Sequence, residues 1–280
     1  MRLTTIARTP LMGAMDEKFA LQFRCSLKIK NELKSDIWTT SVPVVVTTNV
    51  SQDAEGWAAI TWDNSFFATD RDPFTVPESV PWSHMKWVLC TRFFYQTGCH
   101  LNEQHLQYLY KKNFGLPYDP SGDDRFISWH QFAKDKGTRK FTFFTWFYEV
   151  TKLIRSHLSK EWENGLIEGF ISMDEASEKL QYSKSGTFLL RFSDSTPGGI
   201  SVASYTTIDN VLGIHHMTPY VRSDFDIKKP PCTIGDFIKD LFYYTHLYPN
   251  LEKDTVFCFY YTPPKRQSGP YGPKKCMVIG

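Results

Sequence analysis

The sequence predicts a multidomain α+β chain, because the period of its apolar residues changes twice along its length. Phe19, Leu21, Phe23, Cys25, Leu27 and Ile29 alternate without a break, which predicts a half-buried strand. From Trp57 to Trp162 the texture is helical, and seven of the eight tryptophans lie there. From Leu166 onward helical and strand patterns mix. A length of 280 residues suits about two domains, and 41% hydrophobic with 22% charged residues is an ordinary globular composition.

Taken in order, VPVVVTTNV (42–50) predicts a second strand, rich in β-branched residues and tipped by Thr47, Thr48 and Asn49. Asn102 is placed to cap a helix carrying Leu106, Leu109 and Tyr110, and Ser128 to cap one carrying Trp129 and Phe132. FFTWFYEVTKLIRSHLSKEW (143–162) predicts a longer helix with Phe143, Phe147, Val150 and Ile154 on one face. Tryptophans at helical spacing point to a packed core rather than to base-stacking platforms. Ser172 and Glu175 form a capping box ahead of Ala176 and Leu180. GTFLLRFS, the turn SDSTPGG and ISVASYT predict a hairpin, and Ile214 to Met217 a third strand. Thr233 is placed to cap a helix with Ile234, Phe237, Ile238, Leu241 and Phe242 on one face. The Pro/Gly-rich end, PPKRQSGPYGPKKCMVIG, predicts a flexible tail. Within it KKCMVI has a strand pattern and nothing of its own to pair with.

Composition and motifs weigh against several classes. A net charge of +2 gives no global basic field, so contact with nucleic acid would have to be local. The six cysteines are scattered, with no CxxC pair and no zinc spacing, which favours free thiols and no metal or cofactor. No apolar run approaches the roughly 18 residues of a membrane span. There is no Walker loop, GxSxG or HExxH, so no catalytic residue is expected. His100, Glu103 and His105 do not share one helix face, and His215 and His216 point to opposite sides of a strand. The start, MRLTTIARTPLMGAM, is basic, but Pro10 and its short length favour a ragged start over a targeting peptide. Asn49-Val50-Ser51 is read as an incidental sequon.

Arg191 is the residue the pattern does not absorb. In a pleated strand Phe188, Leu190 and Phe192 face one way, and Leu189, Arg191 and Ser193 the other. The Phe/Leu face is core, which leaves Arg191 mid-strand and in need of an anion. A structural ion pair with a nearby carboxylate is one reading. The following Ser193, Asp194, Ser195 and Thr196 bring hydroxyls and turn N–H groups, a set of donors that suits a phosphate dianion. The start of the Ser172 helix adds to that field.

These residues resemble a known family. WENGLIEGFIS, SGTFLLRFSDS, TPYVR and LYPN closely resemble the Src-homology-2 (SH2) domain of the STAT transcription factors. ISWHQFAKD and the long helix to Trp162 resemble the STAT linker domain, and PVVVTTNVSQ with GWAAITW the end of the STAT DNA-binding β-domain. The resemblance runs from about Phe19 to the end. It implies part of an immunoglobulin-like β DNA-binding domain over 1–74 and an all-α linker over 75–164. An α+β SH2 domain, a central antiparallel sheet flanked by two helices, is implied over 165–262, and a tail over 263–280. It implies that Arg191 grips phosphotyrosine, with Ser193, Asp194 and Ser195 in the phosphate-binding loop. By the same likeness Tyr271 is the residue that a tyrosine kinase phosphorylates, and Asn49 the one presented to DNA. A lysine is expected just after Ile171-Ser172. Met173 stands there, which leaves either Lys179 as a substitute or a lower affinity for phosphate.

The implied function is a signal transducer and transcription factor that moves from cytoplasm to nucleus after activation. About nine residues separate Thr262 from Tyr271, a reach of about 30 Å, which favours exchange of tails between two copies over self-docking. KKCMVI then finds a partner edge. The partners implied are a phosphotyrosine peptide, a tyrosine kinase, DNA and a second copy of the chain, without membrane insertion. The alternative is a truncated phosphotyrosine-binding adaptor or dominant-negative regulator that does not bind DNA.

Overall fold

The computed structural model describes residues 2–5, 18–29, 33–67, 75–118, 124–208, 210–227 and 230–263. The chain opens with an antiparallel sheet of β1 (Arg2–Thr5), β2 (Lys18–Ile29), β3 (Leu33–Thr40) and β4 (Val44–Val45), in which β2 pairs with the other three. The strand expected from the alternation is there, but its half-burial holds only at the start, where Phe19 and Leu21 are partly buried. Phe23 is 54% and Leu27 41% exposed, and Ile37, opposite Cys25, is 51% exposed. Alternation fixes which residues share a face, whereas burial needs a second layer on it. An immunoglobulin-like sandwich needs two facing sheets, and the described residues of this region supply one.

The expected strand over 42–50 shortens to Val44–Val45. Beyond it, Asn49 caps a 3₁₀ turn, Val50–Gln52, its Oδ1 accepting from the Ser51 N–H at 3.1 Å. The Gln52 Oε1 accepts from the Thr48 N–H, also at 3.1 Å. These local side-chain acceptors compete with a ladder for the backbone donors and end the strand early.

Helices follow: α1 (Asp53–Phe66), α2 (Trp82–Thr97), α3 (Glu103–Phe114), α4 (Trp129–Ala133) and α5 (Phe143–Leu153). A wide turn, Ile154–Leu158, then leads into α6 (Ser159–Glu163). Asn102, Ser128 and Thr142 cap their helices through side-chain oxygens. Phe143, Phe147, Val150 and Ile154 are all buried, as the helical period predicts. The region is not wholly helical: β5 (Ser79–Pro81) and β6 (Phe126–Ser128) pair antiparallel, with Val80 opposite Ile127. Both side chains are buried, and the ladder satisfies backbone groups that would otherwise be buried unpaired. Trp62 of α1 packs against Trp129 and Phe132, so this helix, which precedes residue 74, shares the helical core. Trp62, Trp82, Trp146 and Trp162 are core, while Trp87 is exposed.

His105, in the first turn of α3, lies against Trp162 and Phe170, and its Nδ1 accepts the Asn102 N–H. Burial lowers its pKa from 6.5 to about 4. The unfolded chain therefore takes up this proton first as pH falls. The stabilisation is complete above pH 6.5 and drains away between pH 6.5 and 4, at up to about 1.4 kcal/mol per pH unit. Burial shifts His157 and His216 in the same direction. The urea midpoint is expected to fall from pH 7 to pH 5, and to fall less in His105→Gln, which keeps a capping acceptor and does not titrate. Equal slopes in the two proteins would remove His105 as a cause.

The last part is mixed. It comprises α7 (Met173–Leu180), β7 (Thr187–Phe192), β8 (Gly199–Ile208), β9 (Val211–His216), β10 (Tyr220–Val221), α8 (Arg222–Phe225), α9 (Ile234–Lys239), β11 (His246–Leu247), β12 (Leu251–Glu252) and α10 (Lys253–Phe257). The sheet order is β10-β8-β7-β11-β12, with β9 also on β8. All pairings are antiparallel except β7 with β11, which is parallel. The two faces of β7 divide as the alternation predicts. Leu189 packs with Ala176 and Leu180 of α7 and with Ala203. Phe188, Leu190 and Phe192 join Ile234 and Ile238 of α9 in one core that runs on into the helical region. Thr233 caps α9 as expected, but the helix stops at Lys239 and leaves Phe242 87% exposed. The buried Lys253 ammonium donates to the carbonyls of Ile238, Lys239 and Leu241. Those carbonyls terminate the helix on a cation instead of continuing it.

Candidate anion-binding site

Arg191 sits near the end of β7, opposite Ser201 of β8, with its side chain only 6% exposed. Its backbone is held from the other edge by Gly169, whose N–H donates to Leu190 O (3.1 Å) and whose carbonyl accepts from Phe192 N–H (2.9 Å). The guanidinium donates from Nη1 to Phe192 O at 2.8 Å. It also donates to Asp194 Oδ2, from Nη2 at 3.0 Å and Nη1 at 3.3 Å. Its Nε–H is buried and has no partner among the described residues. The carboxylate reading of Arg191 thus describes this structure, with Asp194 as the anion.

The loop after β7 is ordered from inside and from below. Ser193 Oγ accepts the N–H groups of Ser195 (3.3 Å) and Thr196 (3.1 Å), so these turn donors close on a side chain of the loop. Trp146 of α5 donates its indole N–H to Ser193 O at 2.7 Å, and Gly198 lies against Glu149 of the same helix. Ser193 is buried and Ser195 exposed.

Two further groups reach the site from α3. Lys112 Nζ lies 3.2 Å from Asp194 Oδ1, and the Tyr108 hydroxyl donates to the same oxygen. The Lys112 side chain is 7% exposed and lies over the Trp146 ring at 4.1 Å. Burial lowers the Lys112 pKa, and burial followed by the Asp194 charge raises that of Tyr108. On the other side, His216 of β9 is 3.0 Å from Ser177 Oγ of α7. Burial and then the charge of Arg191 lower its pKa, so the imidazole adds no charge to the site near neutral pH. Two buried cations, a phenol and a serine loop converge on one carboxylate, which makes this an anion site by construction.

The middle and last parts match families separately. Residues 69–147 match the linker domain of signal transducer and activator of transcription, and residues 166–224 match the SH2 domain. The "Signal transducer and transcription activator" of Anopheles gambiae is 36% identical over 254 residues, 89% of this chain and 34% of that protein. That of Drosophila melanogaster is 35% identical over 279 residues, 95% of this chain and 35% of that protein.

The chain belongs to the STAT family.

It spans about a third of the length of the curated relatives it matches. The solved structure of an inactive choanoflagellate E3 ubiquitin ligase Cbl TKB covers 77% of this chain and 55% of that one. At 14% identity and a TM-score of 0.26, that likeness carries no argument.

In this STAT chain Arg191, Ser193 and Asp194 come together, with Ser195 at the rim. Met173 opens α7 and is 49% exposed. Lys179 is held by Glu168 at 2.6 Å and lies over Tyr248. It borders a cleft of about 340 Å³ between α3 and α7 instead of the Arg191 guanidinium. Asn49 is exposed and caps the 3₁₀ turn. Tyr271 and the KKCMVI segment lie outside the described residues. Sequence reasoning missed Lys112, Tyr108 and Trp146. Their helical spacing reads as surface and core, and nothing local to α3 or α5 signals a loop more than 45 positions away. Among the described residues no group of three His, Cys, Asp or Glu could hold a metal ion, and no helix is long and apolar enough to cross a membrane.

Proposed function

We propose that this chain is the phosphotyrosine-reading part of a STAT-type signal transducer and transcription factor. The observation that carries the reading is Arg191, a buried guanidinium on an SH2 strand with a partly exposed carboxylate beside it and, among the described residues, an unpartnered Nε–H. A tyrosine kinase phosphorylates Tyr271, and the tail of one copy enters the Arg191 site of another. Ser193 and Ser195 contribute hydroxyls from the loop. Phosphorylation adds about −1.5 to −2 charge to the tail, which supplies the anion for that site. Two reciprocal contacts make an isologous dimer. The dimer gathers in the nucleus and sets two DNA-reading segments, each with Asn49, at a fixed spacing.

Size-exclusion chromatography before and after tyrosine phosphorylation tests this. The wild type is expected to shift from monomer to dimer, and Tyr271→Phe to stay monomeric. A phosphorylated wild type that remains monomeric, or a Tyr271→Phe protein that dimerises all the same, overturns tail exchange. A gel shift with the phosphorylated dimer then tests the DNA step, with Asn49→Ala expected to weaken the shift without dispersing the dimer.

A further inference from the structure

Asp194 and Lys112 are joined in a way that the position of Asp194 in the serine loop does not explain. A carboxylate only accepts hydrogen bonds, so it cannot ligate a phosphate. It competes for the same donors. Its two oxygens are divided between two buried cations, Arg191 on Oδ2 and Lys112 on Oδ1, and the Tyr108 hydroxyl adds a third donor. The cations are fixed, at 6% and 7% side-chain exposure, while the Asp194 side chain is 39% exposed at the mouth. Of the four groups that meet here, the carboxylate is the one with room to leave.

We propose that Asp194 is a built-in stand-in for phosphate, displaced when phosphotyrosine enters, and that Lys112 of the linker helix is then the second cationic ligand of that phosphate. The proposal rests on the phosphotyrosine reading above and adds to it a ligand from outside the SH2 domain. Arg191 Nη1 donates to Phe192 O and Asp194 and Nη2 to Asp194, which leaves Nε–H and the second Nη2 hydrogen, so a dianion that takes the remaining Arg191 donors and Lys112 as well must take the place of Asp194. Once Asp194 swings into solvent, Lys112 would be a buried ammonium without an anion, a costly state. Among the described residues Asp194 is the one acceptor that Lys112 Nζ bonds, and the ammonium otherwise lies over the Trp146 ring. An incoming phosphate oxygen relieves both cations at once, with the Tyr108 O–H turned to the same ligand. Ligand entry and release of the Lys112–Asp194 link between the two domains are thereby one event.

The test is fluorescence polarisation of a peptide spanning residues 265–277 with Tyr271 phosphorylated, read on the full chain. Lys112→Met is expected to weaken binding about tenfold through loss of a charge-assisted contact, and Lys112→Arg to restore most of it. Asp194→Asn is expected to tighten binding at least about threefold, because the competing carboxylate no longer reduces the competent fraction. The opposite signs are the diagnostic. Both Lys112→Met and Asp194→Asn break the same ion pair, so a purely structural staple predicts that both weaken binding or that neither changes it, and either result overturns the proposal. Arg191→Ala separates the two readings. If it abolishes binding while Lys112→Met leaves it intact, the Lys112 assignment falls and the phosphotyrosine site stands. If Arg191→Ala binds as the wild type does, the phosphotyrosine site itself falls.

Discussion

Arg191→Ala is expected to weaken binding of the Tyr271 phosphopeptide by at least about 100-fold, the result of removing one partner of a buried, hydrogen-bonded charge pair. The guanidinium is the most buried cation of the site and contributes two prongs, Nη1 and Nη2, where a lysine brings a point charge. Arg191→Lys is therefore expected to fall between the wild type and alanine. The loss belongs to binding and not to unfolding, because Asp194 keeps Lys112 and Tyr108 as donors when Arg191 is gone. Circular dichroism of the variant should show a folded protein with a cooperative melt. An affinity within about threefold of the wild type would mean that Arg191 is only the structural partner of Asp194.

Gly169→Ala is expected to destabilise the fold strongly, at about 3–5 kcal/mol, from the combined cost of overpacking and of a left-handed backbone. Gly169 has φ +72°, and a Cβ there would lie 2.4 Å from Cζ3 of Trp162 and 2.9 Å from Cε2 of Phe192. Neither ring can yield. Trp162 and Phe192 are packed edge and face with each other and with Phe170, inside the core shared by the helical and mixed regions. The same glycine hydrogen-bonds on both sides of Arg191. A shift of this backbone to relieve the clash moves the guanidinium as well, so the urea midpoint and phosphopeptide affinity should fall together. A midpoint lowered by less than about 1 kcal/mol would show that the aromatic cluster is softer than its packing implies.

Much of the site was legible in one stretch, residues 186–195. The alternation of GTFLLRFS assigns Phe188, Leu190 and Phe192 to one face and Leu189 and Arg191 to the other, and the structure divides them so. The caps at Ser128, Ser172 and Thr233 were equally legible, since a cap is made by residues three positions apart. Reading failed where a side chain took over backbone groups that the pattern assigns to a ladder or a helix. The run over 42–50 has the composition of a strand, but Gln52 and Asn49 turn its end into a cap. The apolar period after Thr233 continues to Phe242, but Lys253 ends the helix at Lys239.

The sequence by itself determined the local periods, the caps, and that a cation lies on a core strand and needs an anion. Those properties depend on residues within a few positions of one another. The tertiary structure alone decided which anion it has and which second cation shares it. Asp194 is three positions away, but Lys112 and Tyr108 come from a helix about 80 positions earlier, brought in by a core continuous between the two regions. The charge on a lysine is visible in a sequence, whereas its burial against Trp146 and its distance from a carboxylate are consequences of packing. What makes Lys112 part of the site is that desolvation, and it exists only in the folded chain.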